Sequence, residues 1–235
     1  MAIAPNPETV PVSTKGIGIE AWDPLVILID KPKGLTSFDV IRRLRRISPI
    51  RKIGHAGTLD PMATGLLICL SGRATKLMEH FMGQKKTYTG TIRLGETTPS
   101  YDAETEISER KDASHLTDAD LEDKRKLFVG DITQQTPVYS AVKVGGERLY
   151  KKARRGERVI LPSRHVTIYA FEITARHGAD VSFLVECSSG TYIRSIAHEF
   201  GEALGVGGHL IELRRTVSGG FNVDQAWPLQ SLLDG

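Results

Sequence analysis

The stretch GHAGTLDPMATGLL (residues 54–67) carries one carboxylate, Asp60, between a leucine and a proline, with His55 five residues earlier and no second acid in the motif. An aspartate before proline is most often a turn or cap residue. A carboxylate can also be a nucleophile at a sugar carbon or an activated ring, forming a covalent intermediate. That chemistry needs a cation to hold the carboxylate ionised and a dry pocket, and it needs a flat aromatic surface if the substrate is a base. The chain offers a candidate for each. GTYIRS supplies Tyr192 and Arg194, two apart and on one face if extended, and KTYTG supplies Tyr88. Each also has an ordinary reading: a strand tyrosine is usually packing, and an arginine before a helix usually meets solvent. Spacing leaves both readings open.

Other chemistries find less support. The seven histidines form no HExxH or other ligand spacing, which disfavours a metal site. GxGxxG, Walker A and GxSxG patterns are absent, so neither a nucleotide cradle nor a serine nucleophile is indicated. Cys69 and Cys187 stand alone in apolar stretches and read as buried, reduced thiols. A glycoside hydrolase would place two carboxylates across the bond, and Asp39 is better explained as a helix cap. An RNA-binding module with little chemistry remains a competing reading.

The elements that must position these residues follow from periodicity. LVILID (25–30) and LLICL (66–70) read as buried strands. TSFDVIRRLRRIS (36–48) reads as a helix with a Thr36/Asp39 capping box, an apolar face of Val40, Ile41, Leu44 and Ile47, and arginines elsewhere. RATKLMEHFM (73–82) looks helical, and KKTYTGTIRL (85–94) alternates like a strand with Tyr88, Gly90, Ile92 and Leu94 on one face. Residues 95–116 are acidic and read as a long surface loop. Thr117 and Asp120 would cap a helix through Phe128. PVYSAVKV is strand-like, ERLYKKARRGE reads as a short basic helix, and two strands, HVTIYAFEITARH and VSFLVECSS, meet at a hairpin in HGAD (177–180). IRSIAHEFGEAL (193–204) is an amphipathic helix, GHLIELRRT (208–216) a strand, and the chain ends in a short helix. Strands and helices mix without a βαβα rhythm, which favours an α+β fold.

The chain has 235 residues, 40% hydrophobic and 25% charged, enough for a substantial core. Residues 1–22 read as a flexible tail without signal-peptide features, and residues 23–235 as one catalytic domain. No apolar run approaches the roughly 18 residues of a membrane span. The net charge of +3 hides an asymmetry: residues 31–52 carry eight Lys/Arg and one acid, 96–123 ten acids and two bases, and 143–164 eight Lys/Arg and two acids. Two basic segments suggest a positive surface for a polyanion; solvated helix faces are the plain alternative.

Taken together, KPKGLTS, GHAGTLDPMATGLL, GRATK, KTYTG, PVYSAVK, GTYIRS and LRRT resemble, in order and spacing, the bacterial tRNA pseudouridine synthase B (TruB) family, over residues from about 25 to 222. The resemblance implies the pseudouridine synthase fold, a mixed, mainly antiparallel central sheet flanked by helices. It implies an isomerase that converts uridine 55 of the tRNA T-loop to pseudouridine with no metal or cofactor. The lone cysteines point to the cytoplasm, and a monomer that requires no protein partner is expected because no heptad or exposed apolar stripe calls for one. By the same resemblance Asp60 matches the catalytic nucleophile and Arg194 the arginine that pairs with it. Tyr88 matches the tyrosine that stacks on the flipped base, and Tyr192 and Leu213 match residues lining the uracil pocket. His55 matches a histidine that contacts the loop RNA, and Lys31 with Pro32 a pair that supports the site near Tyr88. The segment 137–164 looks like an RNA-clasping insertion, with Lys143, Arg148, Lys151, Lys152, Arg154 and Arg155 on the backbone and Gly145 and Gly146 as its pivot. A C-terminal PUA domain, found in many members, is not expected here, which also argues against the dyskerin-like relatives that work on guide RNAs.

Overall fold

A computed structural model describes residues 4–137, 139, 143–144, 147–148, 155 and 161–234. The chain forms two compact units: residues up to Tyr88 together with those from Leu213 onward, and Thr89–Glu212. The fold is α+β, with a large mixed sheet whose strand pairs are mainly antiparallel.

In the first unit β1 (Val12–Ser13) runs parallel to β2 (Leu25–Lys31). Within the stretch read as a tail, Val10 is thus buried and Ser13 Oγ accepts the Trp227 Nε1 proton at 3.0 Å; two apolar valines draw this segment onto the sheet. The apolar run of β2 reflects burial on both faces. Helix α1 (Ser37–Ile47) starts at Thr36, whose side chain accepts from Asp39 N while the Asp39 carboxylate accepts from Thr36 N. Val40, Ile41 and Leu44 are buried, whereas Ile47, assigned by periodicity to the same face, is exposed in the last turn. Then β3 (Ile53–Ala56) pairs antiparallel with β4 (Thr64–Ser71), which also pairs antiparallel with β2. The next segment opens as a 3-10 turn, Gly72–Leu77, before α2 (Met78–Gly83). Local bonds favour the tighter turn: Thr75 Oγ1 donates to Gly72 O, and Arg73 N to the Asp23 carboxylate. β5 (Lys86–Leu94) begins in this unit.

The second unit continues β5, with Ile92 and Leu94 buried as the alternation predicts. The acidic stretch departs from the expected surface loop. It holds a small hairpin, β6 (Glu96–Thr97) with β7 (Glu109–Arg110), and buries Thr98, Ser100 and Asp102. These polar groups are tolerated because they bond to one another, as the site below shows. Helix α3 (Asp118–Arg125) carries the expected Thr117/Asp120 capping box and ends in a 3-10 turn at Phe128. β8 (Gly130–Gln135) follows. β9 (Lys143–Val144) and β10 (Glu147–Arg148) pair antiparallel. The expected basic helix therefore begins on residues that form a strand, and most of the rest of it lies outside the described residues. β11 (Ser163–His177) and β12 (Asp180–Cys187) form the expected hairpin, with Gly178 at φ 62°, and β11 also pairs with β8. Helix α4 (Ile193–Ala203) places Phe200 among Phe128 and Phe171 at centroid distances of 5.9 and 5.5 Å, edge to face.

β13 (Gly208–Ser218) carries the chain back into the first unit. There Arg214 and Arg215 pair in parallel with Thr64 and Gly65 of β4, and Thr216 Oγ1 donates to Thr87 O of β5 at 3.3 Å. β14 (Phe221–Asn222), β15 (Trp227–Pro228, parallel to β2) and α5 (Leu229–Asp234) complete the unit.

Candidate active site

Asp60 sits in the loop between β3 and β4, half-buried, with Leu59 and Met62 buried on either side. One backbone bond closes a turn within the loop, from Ala63 N to Asp60 O at 3.1 Å. Other bonds reach the loop from elsewhere in the unit. The Ser37 hydroxyl donates to Leu59 O at 3.0 Å and accepts from Leu59 N at 2.8 Å. Pro61 O accepts from Gly34 N at 2.8 Å and from the Lys31 ammonium at 3.4 Å. The guanidinium of Arg215, 1% exposed, donates to Leu66 O at 2.7 Å and to Gly57 O at 3.1 Å. Gly57 adopts φ 95° and Gly65 φ 99°, so the loop enters and leaves through left-handed backbone. At Gly65 this is compulsory, because a Cβ would stand 2.3 Å from Arg215 O.

The other expected residues of this unit are Lys31, Leu213, Tyr88 and His55. Lys31, fully buried, also donates to Leu35 O at 2.7 Å and Pro32 O at 3.0 Å, so it ties KPKGL to the aspartate loop. Leu213 is buried and its carbonyl accepts from Thr64 Oγ1 at 3.4 Å. Tyr88 is buried at the start of β5, next to Thr87, which receives the Thr216 hydroxyl. His55, on β3 across from Cys69, has its pKa lowered by burial and then by the Arg215 charge, against a backbone bond with Gly57. At neutral pH it is therefore an uncharged imidazole.

Tyr192 and Arg194 belong to the second unit. Tyr192 is the N-cap residue of α4, and its backbone is held at both ends by the Gln134 side chain, at 2.9 and 2.7 Å. The Arg164 guanidinium lies 4.7 Å from the Tyr192 ring centroid, a cation–π contact. Arg194 is buried and donates from Nη1 to Ser100 O and from Nη2 to Tyr139 O, both at 3.0 Å. The Asp102 carboxylate lies 3.5 Å from Nη1. Asp102 is 1% exposed and accepts from Ser100 Oγ at 2.5 Å and Glu104 N at 3.0 Å.

The sequence reading missed Asp102, Ser37, Arg215 and Gln134. Ser37 and Arg215 stand inside quoted motifs, KPKGLTS and LRRT, with no role given. Asp102 lay in the stretch assigned to a surface loop; its signal was the run of small polar residues TTPSYD, which suits a self-bonded turn better than a solvated loop. Of the expected RNA-backbone residues, Lys143 and Arg148 face each other in the β9–β10 register, and Arg155 lies in an exposed turn. Lys151, Lys152, Arg154 and the Gly145–Gly146 pivot lie outside the described residues. Among the described residues, no three His, Cys, Asp or Glu side chains converge as a metal site requires, and no helix is long and apolar enough to cross a membrane.

The fold is shared with solved structures of a Cbf5–Nop10–Gar1 complex, at a TM-score of 0.70 and 33% identity over 89% of this chain. A second is the H/ACA RNP bound to a substrate RNA containing 2′-deoxyuridine, at 0.67 and 30%. The chain spans about half of those longer chains, 53% and 52%. Residues 45–193 match the TruB family pseudouridylate synthase N-terminal domain and residues 194–235 the tRNA pseudouridylate synthase B C-terminal domain, so the chain belongs to the TruB family. It is 49% identical to tRNA pseudouridine synthase B of Paenarthrobacter aurescens, over 89% of this chain and 69% of the relative. The enzyme of the same name from Mycobacteroides abscessus is 49% identical over 91% and 74%, and that from Thermobifida fusca 48% over 88% and 73%.

Proposed function

We propose that this chain is a tRNA pseudouridine synthase that isomerises uridine 55 of the T-loop. The observation that carries the reading is near-half identity to enzymes of that name across nine-tenths of the chain. In the reaction the C1′–N1 bond of the uridine breaks, the uracil turns, and C5 bonds to C1′ while the proton on C5 leaves to solvent and N1 takes up a proton. Reactant and product are isomers, so no external oxidant or group donor enters the balance.

The roles of individual residues rest on the family resemblance and on the surroundings described for each. Asp60 is the nucleophile, and Arg194 is the cation that keeps that carboxylate ionised. Tyr88 stacks on the flipped base, a contact worth about 1–3 kcal/mol, which offsets the few kcal/mol needed to extrude the nucleotide. Tyr192 and Leu213 bound the uracil, Lys31 braces the aspartate loop, and an uncharged His55 contacts the loop RNA. The basic residues of 137–164 engage phosphates. The enzyme works on the tRNA T-arm as a monomer, without a protein partner, in the cytoplasm.

The test is tritium release from tRNA transcripts labelled at uridine C5, with wild type and Asp60→Asn side by side. Wild type is expected to release label, and to stop when the T-loop uridine is replaced. Asp60→Asn is expected to release none while its tRNA Kd stays within severalfold. Equal release by both proteins would remove Asp60 from the chemistry.

A further inference from the structure

The loop that carries Asp60 is held by groups that come from distant parts of the sequence. We propose that Ser37 is a positioning residue for Asp60, and that Arg215 closes the loop it acts on. The inference rests on the proposed role of Asp60 and concerns how that carboxylate is aimed.

The argument runs through peptide planes. Each peptide unit is rigid, so the direction in which a side chain leaves the backbone is fixed once the two planes beside its Cα are fixed. For Asp60 the first of these planes contains Leu59 C=O, and the second contains Asp60 C=O. Leu59 O accepts from the Ser37 hydroxyl at 3.0 Å, and the same hydroxyl accepts from Leu59 N at 2.8 Å. Asp60 O accepts from Ala63 N at 3.1 Å. Both planes are therefore anchored, and with them the direction in which the Asp60 side chain leaves the backbone. The Ser37–Leu59 pair is buried, with both residues 3% exposed, so water cannot substitute for the hydroxyl. Ser37 is free for this task because the preceding Thr36 caps α1.

Arg215 acts at the loop's two shoulders. Its guanidinium joins Gly57 O to Leu66 O, three residues before and six after Asp60. A buried cation that spends its donors on carbonyls holds geometry rather than forming an ion pair. The loop thus has a closed mouth and a pinned centre, and the nucleophile sits immediately after the pin.

The experiment compares Ser37→Ala and the near-isosteric Ser37→Cys, whose thiol is a poor hydrogen-bond partner, with wild type on tRNA. The single-turnover rate constant, tRNA Kd and Tm are measured for each. A fall of about tenfold to a hundredfold in the rate constant is expected, with Kd within about threefold, because Ser37 fixes the reacting group rather than the RNA. In an Asp60→Asn background the same changes should leave Kd untouched. A folded Ala or Cys variant with the wild-type rate would overturn the proposal, and so would a rate loss matched by an equal loss of affinity. If wild type itself forms no pseudouridine, the proposed function fails, and that result is separate from any effect of Ser37. Should Ser37→Ala not fold, Ser37→Cys carries the same expectation at preserved volume.

Discussion

Glu199 lies on α4 five residues beyond Arg194, and its carboxyl is pushed up to about 7 by burial, against the pull of the Gln135 backbone N–H. A raised folded-state pKa means that the folded protein holds this proton more tightly than the unfolded chain. Its contribution is fully present below the model value of 4.5 and is lost as the pH rises through about 7. Glu199→Gln should therefore be more stable than wild type at pH 8 and nearly equal to it at pH 4. Urea unfolding at the two pH values reads the difference, and a parallel pH dependence in both proteins would refute the assignment. Beside it, Tyr101 adopts φ 63°, unusual for a residue with a side chain, and its ring stacks on His198 at 3.9 Å and 7°. The turn that delivers Asp102 to Arg194 runs from Thr98 to Tyr101 and is thus held by an aromatic pair at its last residue.

Helix α1 illustrates what local chemistry alone can decide. Thr36→Ala removes the hydroxyl that caps the helix, and the expected cost is about 1 kcal/mol in urea unfolding. No change in midpoint would mean that packing of Val40, Ile41 and Leu44 sets the helix start by itself. That helix, its cap and its buried face were legible in the sequence because every determinant lies within a few residues. The hairpin at Gly178 was legible for the same reason. The hold on Asp60 was not: Ser37 is 22 residues from Leu59, and Arg215 is 158 from Gly57. No periodicity reports such a contact. The acidic stretch failed differently. Its charge argued for solvent, while Asp102 and its hydroxyl partners satisfy one another and go inside. Composition cannot see a polar group whose partner is two residues away in a tight turn.

For the molecule as a whole, charge separates into basic segments at 31–52 and 143–164 and an acidic one between them. If the second basic segment engages phosphates, neutralising Lys151, Lys152, Arg154 and Arg155 to Gln should raise the tRNA Kd and flatten its dependence on salt. Filter binding across a salt series measures both, and an unaltered slope would assign the four side chains to solvent. The two-unit division has a further consequence, for the order of events during synthesis. The first unit is discontinuous: its strand β13, lodged between β4 and β5, is separated from both by more than a hundred residues. Residues 89–212 form one uninterrupted run and can fold as they emerge from the ribosome. Asp60 is translated early, yet the side chain that bonds both ends of its loop is at 215. The nascent chain therefore carries Asp60 in an unfinished setting for most of its translation, until β13 inserts.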